Sequence, residues 1–425
     1  MERPLGRILL ATFGSLGDLH PYIAVARALA ARGAQPLIAT VPDYREHVER
    51  EGIAFAPVRP GMAEFGDYQA LLAKLFDARR GNAFLIREMV MPYLRTTHED
   101  LSKAAEGAKL LVSHPLTLAI PIIAEQRRLP WVSTVLSPAS FMSSFDPPII
   151  AGAEWLHAVG KLGRTAYRLA FSLPRLMLRR WEEPLHAFRR ELGVTPLPGP
   201  AMLEGQFSPH LNLALFDPPL APPQPDWPQN TVVTGAPLHD GGLDPRVQEQ
   251  LDIFLAAGEP PLVFALGSSA VWVAGDFWNM AAEATRTLKR RAILITGGDT
   301  PTRLAELPPG IGVFGYLPYS MIFPRAAAVI HQAGIGTLSQ ALRSGRPQLI
   351  VPFAFDQPDN ARRAARLGLA RVLPRARLSA GTLKAELAAL LADSRYAQRA
   401  EAVGRELKSI DGAARAADAL LSIIK

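Results

Sequence analysis

Arg7-Ile8-Leu9-Leu10-Ala11-Thr12-Phe13 runs directly into Gly14-Ser15, and apolar residues then recur at helical spacing from Ile23 to Leu29 before Gly33. Pro36-Leu37-Ile38-Ala39-Thr40 follows as a second short apolar run. A run of this length that ends in glycine, feeds a helix and then repeats is the opening of a parallel α/β unit. Further strands are expected at 109–113, 131–135 and 211–215. The pattern then restarts: Pro261-Leu262-Val263-Phe264-Ala265-Leu266 meets Gly267-Ser268-Ser269 much as Phe13 meets Gly14-Ser15. Strands are expected after it at 292–296, 311–314, 328–330 and 348–351. The economical architecture is α/β, with two doubly wound, Rossmann-like domains facing each other across a cleft. Ligands of such sheets lie at the carboxyl ends of the strands.

Between the halves, seven prolines fall from Asp217 to Pro237. Proline fixes φ and has no N–H to donate, so the stretch reads as a stiff connection, neither helix nor central strand. The expected division is an N-terminal domain over 1–216, a connection over 217–242 and a C-terminal domain over 243–405. Residues 394–425 are Ala-rich and helical in propensity.

The chain has 425 residues, 48% apolar and 20% charged, an ordinary globular balance. It contains no cysteine, which excludes a disulfide framework, thiolate metal sites and cysteine nucleophiles. No run approaches the ~20 apolar residues that span a bilayer. The most apolar stretch, 110–124, carries His114, Pro115 and Pro121. Met1-Glu2-Arg3-Pro4 and the residues after it lack a signal-peptide apolar region, so a cytoplasmic location is expected. Lys and Arg number 46 against 39 Asp and Glu, a net charge of +7. No zinc finger, helix-turn-helix or RNP motif accompanies that charge, so nucleic acid is not an expected partner. Its one local concentration is 161–190, where Lys161, Arg164, Arg168, Arg175, Arg179, Arg180, Arg189 and Arg190 are interleaved with leucines and aromatics. A basic amphipathic segment of this kind rests on an anionic membrane surface or covers a core with its arginines reaching outward.

Three stretches carry chemistry. In Val329-Ile330-His331-Gln332-Ala333-Gly334-Ile335-Gly336-Thr337 a buried strand meets a glycine turn and a helix N-terminus, whose N–H groups and dipole suit a diphosphate. His331 is placed to donate to a phosphate oxygen and Thr337 adds a hydroxyl; a plain tight turn is the other reading. In Pro352-Phe353-Ala354-Phe355-Asp356-Gln357-Pro358, Asp356 and Gln357 offer an acceptor and a donor for adjacent sugar hydroxyls, or Asp356 caps the helix from Pro358. In Gly14-Ser15-Leu16-Gly17-Asp18-Leu19-His20-Pro21, Asp18 is suited to take a proton from a hydroxyl, or it caps the helix that Pro21 begins. His20 is a base by type, but one beside a helix-starting proline.

Together, Gly14-Ser15-x-Gly17-Asp18-x-x-Pro21, His331-x-x-Gly334-x-Gly336-Thr337 and Pro352-Phe353-x-x-Asp356-Gln357 resemble the family 1 GT-B glycosyltransferases, in order and over nearly the whole chain. The stretches 221–229, 234–241 and 356–361 are similar to the rhamnosyltransferase chain of rhamnolipid synthesis. The resemblance implies an inverting transfer of a hexosyl group, rhamnosyl in that subgroup, from a nucleoside-diphosphate sugar to an acceptor hydroxyl. Asp18 stands at the family's base position and His20 falls off the pattern. Ser268, Ser269, His331, Gly334, Gly336 and Thr337 would hold the diphosphate, Tyr316 would stack on the nucleobase, and Asp356 and Gln357 would bind the sugar. The donor is a TDP- or UDP-linked co-substrate, and no metal and no other cofactor is expected. In the family the final helix, 406–425 here, crosses back to the N-terminal domain.

Phe65, Phe76, Phe84, Met89, Met91, Phe141, Met142, Phe145 and Trp155 make an apolar acceptor pocket one reading of the N-terminal half. With the basic 161–190 stretch, this favours a hydrophobic, lipid-like acceptor handled at the inner face of the membrane. A second protein that makes the acceptor fits the same picture. Glucosylation of a soluble aglycone from a UDP-sugar is the alternative. Other classes are a nucleotide-sugar epimerase or hydrolase and a non-catalytic nucleotide-binding partner subunit.

Overall fold

The computed structural model describes residues 5–298 and 310–424; Met1–Pro4, on which the reading of the N-terminus rests, lie outside them. Apolar runs form its strands. Leu262–Ala265 and Ala292–Ile295 are buried at every position, as strands covered by helices on both faces must be. Seven strands, β1 (Arg7–Ala11), β2 (Gln35–Thr40), β3 (Ala54–Pro57), β4 (Ala108–Ser113), β5 (Trp131–Val135), β6 (Leu211–Ala214) and β7 (Thr231–Val233), make one sheet. Their order is β3-β2-β1-β4-β5-β6-β7, with every pairing parallel. A second parallel sheet holds β8 (Leu262–Ala265), β9 (Ala292–Ile295), β10 (Ile311–Phe314), β11 (Ala328–His331), β12 (Gln348–Ile350) and β13 (Ala370–Val372) in the order β10-β9-β8-β11-β12-β13.

In each sheet the chain winds outward one way from its first strand and then returns to the other side. The reversal falls between β1 and β4 in one sheet and between β8 and β11 in the other. Connections leave in opposite directions there, which opens a crevice at the strands' carboxyl ends. Ala11 is in register with Ser113, and Ala265 with His331. The loops after these four strands are therefore the ones each sheet brings to its crevice.

The helices used below are α1 (Leu16–Ala30), α2 (Glu154–Gly160), α3 (Arg164–Trp181), α4 (Gly267–Ala270), α5 (Ile335–Ser344), α6 (Gln357–Arg366), α7 (Ser394–Lys408) and α8 (Gly412–Ile424). The described residues fall into two compact units, one running to His239 and resuming at Asp411, the other spanning Asp240–Ile410. The final helical segment is broken into α7 and α8, and α8 packs on α1 within the first unit. Arg32 ties the two helices together, its Nε donating to Asp418 Oδ1 at 2.7 Å.

Three short strands escape a reading from apolar runs. Ala54–Pro57, Thr231–Val233 and Ala370–Val372 are all sheet edges, three or four residues long and half-exposed. One of them, β7, lies inside the proline-rich stretch. The helix near Asp18 also starts earlier than expected: α1 begins at Leu16, and Pro21 lies inside it.

Candidate active site

Asp18 sits in the first turn of α1. Its Oδ2 accepts from the Ser15 N–H at 2.7 Å and the Ser15 hydroxyl at 3.0 Å, while Ser15 Oγ accepts from the Gly17 N–H at 3.1 Å. That is a capping box with Ser15 as the N-cap, so one carboxylate oxygen is engaged in capping, but of a helix that begins at Leu16 and not at Pro21 as expected. The arrangement needs Gly14. Its φ is +138°, and a Cβ there would stand 2.3 Å from Asp18 Oδ2.

The second oxygen has another neighbour. Oδ1 lies 3.4 Å from Nε2 of His114, the residue after β4, across the β1–β4 reversal. His114 Nδ1 accepts from the Leu116 N–H at 3.2 Å, which leaves the proton of the neutral ring on Nε2, facing Asp18. Burial pushes the Asp18 carboxyl up, but the hydrogen bond from His114 and the Ser15 donors outweigh it, and the net shift is downward. Exposure divides the roles. The Asp18 side chain is 31% exposed and that of His114 only 5%, so of the two it is the carboxylate that reaches the surface.

His20 does not join them. Its ring meets that of His239 edge-on at 5.4 Å, and His239 Nε2 lies 3.6 Å from Glu51 Oε1. The expected apolar acceptor pocket is also corrected in part. Phe76, Met89, Met91 and Phe141 are core residues, with Phe141 stacked on Trp227 at 4.0 Å. The cavity lined by Phe13, Met89, Leu94 and Leu116 is about 20 Å³, room for one water and no acceptor.

In the second unit, β8 leads through Leu266 to Gly267, whose φ of +68° lets it approach Gln332; a Cβ would lie 2.4 Å from Gln332 Nε2. After it, α4 carries Ser268 exposed and Ser269 half-buried. Across the reversal stands His331, fully buried, and here the geometry corrects the expected role. Its Nδ1 accepts from the Ala333 N–H at 3.0 Å and its Nε2 lies 3.0 Å from Gln348 Oε1, so neither nitrogen is left for a phosphate. Burial lowers its pKa to about 4 despite the Gln348 hydrogen bond. His331 shapes the turn. It holds Ala333 at φ +66°, a left-handed position unusual for alanine, with help from Asn360, whose Nδ2 donates to Ala333 O at 3.0 Å.

The turn delivers Gly334 as the N-cap of α5, without any side-chain cap, so the helix presents its first N–H groups uncapped. A Cβ on Gly336 would meet nothing within 4 Å, which means that packing does not demand glycine there. The Thr337 hydroxyl is turned inward, 3.5 Å from Gln332 Nε2 and hydrogen-bonded to Tyr319, rather than outward as expected.

Tyr316 is anchored through its hydroxyl, which accepts from the Gly241 N–H at 2.9 Å, while 46% of the residue stays exposed. Burial of its hydroxyl end and the Asp240 charge raise its pKa. Asp356 occupies the N-cap position of α6 but makes no capping bond; its Oδ2 accepts from Asn360 Nδ2 at 2.7 Å. The Gln357 carbonyl accepts from the N–H groups of Phe353 and Ala354 at 2.7 and 3.1 Å, which leaves the Nε2 end of that amide to act as a donor. Asn360 thus joins the Asp356 turn to the His331 turn. Sequence reading passed over it and His114, although Ser113-His114-Pro115 directly after a strand was the available signal.

Residues 277–420 match the model of the erythromycin biosynthesis protein CIII-like C-terminal domain, and residues 8–142 that of the glycosyltransferase family 28 N-terminal domain. The chain is 30% identical over 417 residues to O-mycaminosyltylonolide 6-deoxyallosyltransferase of Streptomyces fradiae, covering 96% of this chain and 94% of that one. The chain belongs to the family 1 GT-B glycosyltransferases. The glycosyltransferase is also 30% identical over 434 residues to vancomycin aglycone glucosyltransferase of Amycolatopsis orientalis, with 98% of each chain covered. Its fold matches that of the spinosyn rhamnosyltransferase SpnG complexed with thymidine diphosphate. The TM-score is 0.69 at 20% identity, over 96% of this chain and 98% of that one. Membership makes this glycosyltransferase a nucleotide-sugar-dependent enzyme and removes the epimerase, hydrolase and silent-subunit readings.

Proposed function

We propose that this glycosyltransferase moves a hexosyl group, rhamnosyl from TDP-rhamnose by its subgroup resemblance, to a hydroxyl of a hydrophobic, lipid-like acceptor, with inversion at the anomeric carbon. The observation that carries the mechanism is the Asp18–His114 pair: a partly exposed carboxylate kept ionised beside a buried, oriented imidazole. As the acceptor oxygen bonds to the anomeric carbon and the nucleoside diphosphate leaves, the hydroxyl proton passes to Asp18. His114 Nε2–H holds the carboxylate in place.

The leaving diphosphate is held by the uncapped N-terminus of α5 and the hydroxyls of Ser268 and Ser269. His331 and Asn360 act through the turn that aims those N–H groups, and Thr337 acts from inside it. A preorganised helix terminus supplies the charge stabilisation that a divalent metal supplies elsewhere, so no metal enters the reaction. Tyr316 offers its exposed ring face to the base. Asp356 and the Nε2 of Gln357 bind sugar hydroxyls.

The test is turnover of TDP-rhamnose and UDP-glucose with a hydroxy-fatty acyl acceptor, with EDTA present throughout, for the wild type and Asp18→Asn. Expected are turnover in EDTA, preference for TDP-rhamnose, and a loss on the order of 10²–10⁴-fold in Asp18→Asn at unchanged TDP affinity. Full activity in Asp18→Asn overturns the base assignment, a requirement for added metal overturns the anion site as drawn, and preference for UDP-glucose overturns the rhamnosyl reading.

A further inference from the structure

The helix α3 is apolar on two faces, and only one of them is used. Tyr167 is buried and stacks on Phe171, and Leu178 and Trp181 pack against the core of the first unit. Leu169, Leu173, Leu176 and Met177 project elsewhere, 71%, 58%, 50% and 44% exposed. At helical spacing these four fall within an arc of roughly 100°. Leu162, just before the helix, and Trp155 on α2 are exposed as well. Arg168, Arg175 and Arg179 form one flank of the stripe, and Arg180 stands at its C-terminal end.

Charge decides what covers such a face. From Lys161 to Trp181 there is no acidic residue. Glu182, next in sequence, is buried and holds the N–H groups of Ala201 and Met202; Glu183 pairs with Arg190, and Arg175 with Glu204. Arg189 is buried against Glu125 and belongs to the core. Lys161, Arg168 and Arg180 make no ion pair among the described residues. A second copy seated on this stripe would bring arginine flanks together. An acyl surface under anionic headgroups satisfies both the leucines and the cations, and an interfacial helix sinks its apolar face there while its arginines reach the headgroups. No helix among the described residues is long and apolar enough to cross a membrane, so α3 would lie on the surface.

We infer that α3 is a membrane-docking element that places the first unit on an anionic lipid surface through Leu169, Leu173, Leu176 and Met177. This stands apart from the acceptor reading, because lipid binding is measured without donor or acceptor. The experiment is flotation of the full chain with phosphatidylcholine–phosphatidylglycerol vesicles and with phosphatidylcholine vesicles, alongside sedimentation of the protein alone. The wild type is expected to prefer the anionic vesicles by about tenfold or more, with salt weakening that preference. Combined Leu169→Glu, Leu173→Glu and Leu176→Glu should abolish binding while TDP affinity holds. Arg168→Ser with Arg180→Ser, which leaves every apolar contact alone, should lose the anionic preference. Equal binding to both vesicles, or binding that survives the leucine substitutions, overturns the inference. So does a dimer that those substitutions break without any vesicle binding, because the stripe then belongs to a second copy.

Discussion

Two hydroxyl- and amide-borne protons at Ser15 and one imidazole at His114 hold the Asp18 carboxylate ionised, and each acts against the burial that would protonate it. The sign of the pH dependence follows. With its pKa below the ordinary aspartate value, Asp18 keeps the charged form that the proposed base role needs, and on that proposal activity should fall as pH drops through the lowered value. In His114→Leu the burial stays while the imidazole's hydrogen bond goes. The acid limb of kcat/KM should therefore move to higher pH, whereas a merely structural role for His114 would lower activity without moving the limb. Asp18 was legible in the sequence as a candidate because Gly14, Gly17 and Pro21 surround it at fixed spacing. His114 was not, because 96 positions separate the pair (114 − 18) and only the pairing of β1 with β4 brings them together. The same blindness misplaced His331. Its place at the end of a strand was readable, but whether a nitrogen faces outward depends on Gln348 in the neighbouring strand.

The turn from β11 into α5 is a unit made of a strand end, a left-handed alanine and an uncapped helix, and His331 is the pin through it. Buried without a counter-charge, the ring has a pKa of about 4 against an ordinary 6.5. The unfolded chain therefore binds a proton that the folded one refuses. Stability that is complete above about 6.5 should fall as the pH drops toward 4 and then level off, a loss of about 3 kcal/mol if this group acted alone. In His331→Gln the protein should be less stable at neutral pH, yet that slope should be missing from denaturant unfolding measured across the same window. An unchanged slope would show that the ring already titrates normally in the fold. Central strands were legible at this scale because buried parallel strands read as unbroken apolar runs. The edge strands β3, β7 and β13 were not: half-exposed and three or four residues long, they have no pattern that turns lack, and pairing with a neighbour is what makes them strands.

At the scale of the molecule, the chain leaves its first unit at His239 and returns to it at Asp411. The return is a close fit. A Cβ on Gly412 would lie 2.5 Å from Gly235 O and 2.6 Å from Ala236 O, so α8 can meet that backbone only through glycine. Beyond it, Ala416, Ala417, Leu420 and Leu421 are buried. Gly412→Val should destabilise the first unit by about 1–3 kcal/mol, the usual range for overpacking, while TDP affinity stays the same if the nucleotide binds the second unit as proposed. Thermal unfolding with and without TDP would separate the two effects; an unchanged first transition would mean that α8 shifts to accommodate the valine. The sequence by itself determined two parallel α/β units, the order of the three motifs and the family they belong to, because period, turn chemistry and motif spacing are local properties of the chain. Only the tertiary structure decided which carboxylate oxygen is engaged in capping and which faces His114, that both nitrogens of His331 are engaged within the protein, and that α3 leaves one apolar face bare. Each of those depends on which groups distant in the chain occupy the same few ångströms, and that is fixed by strand order and packing rather than by any single segment.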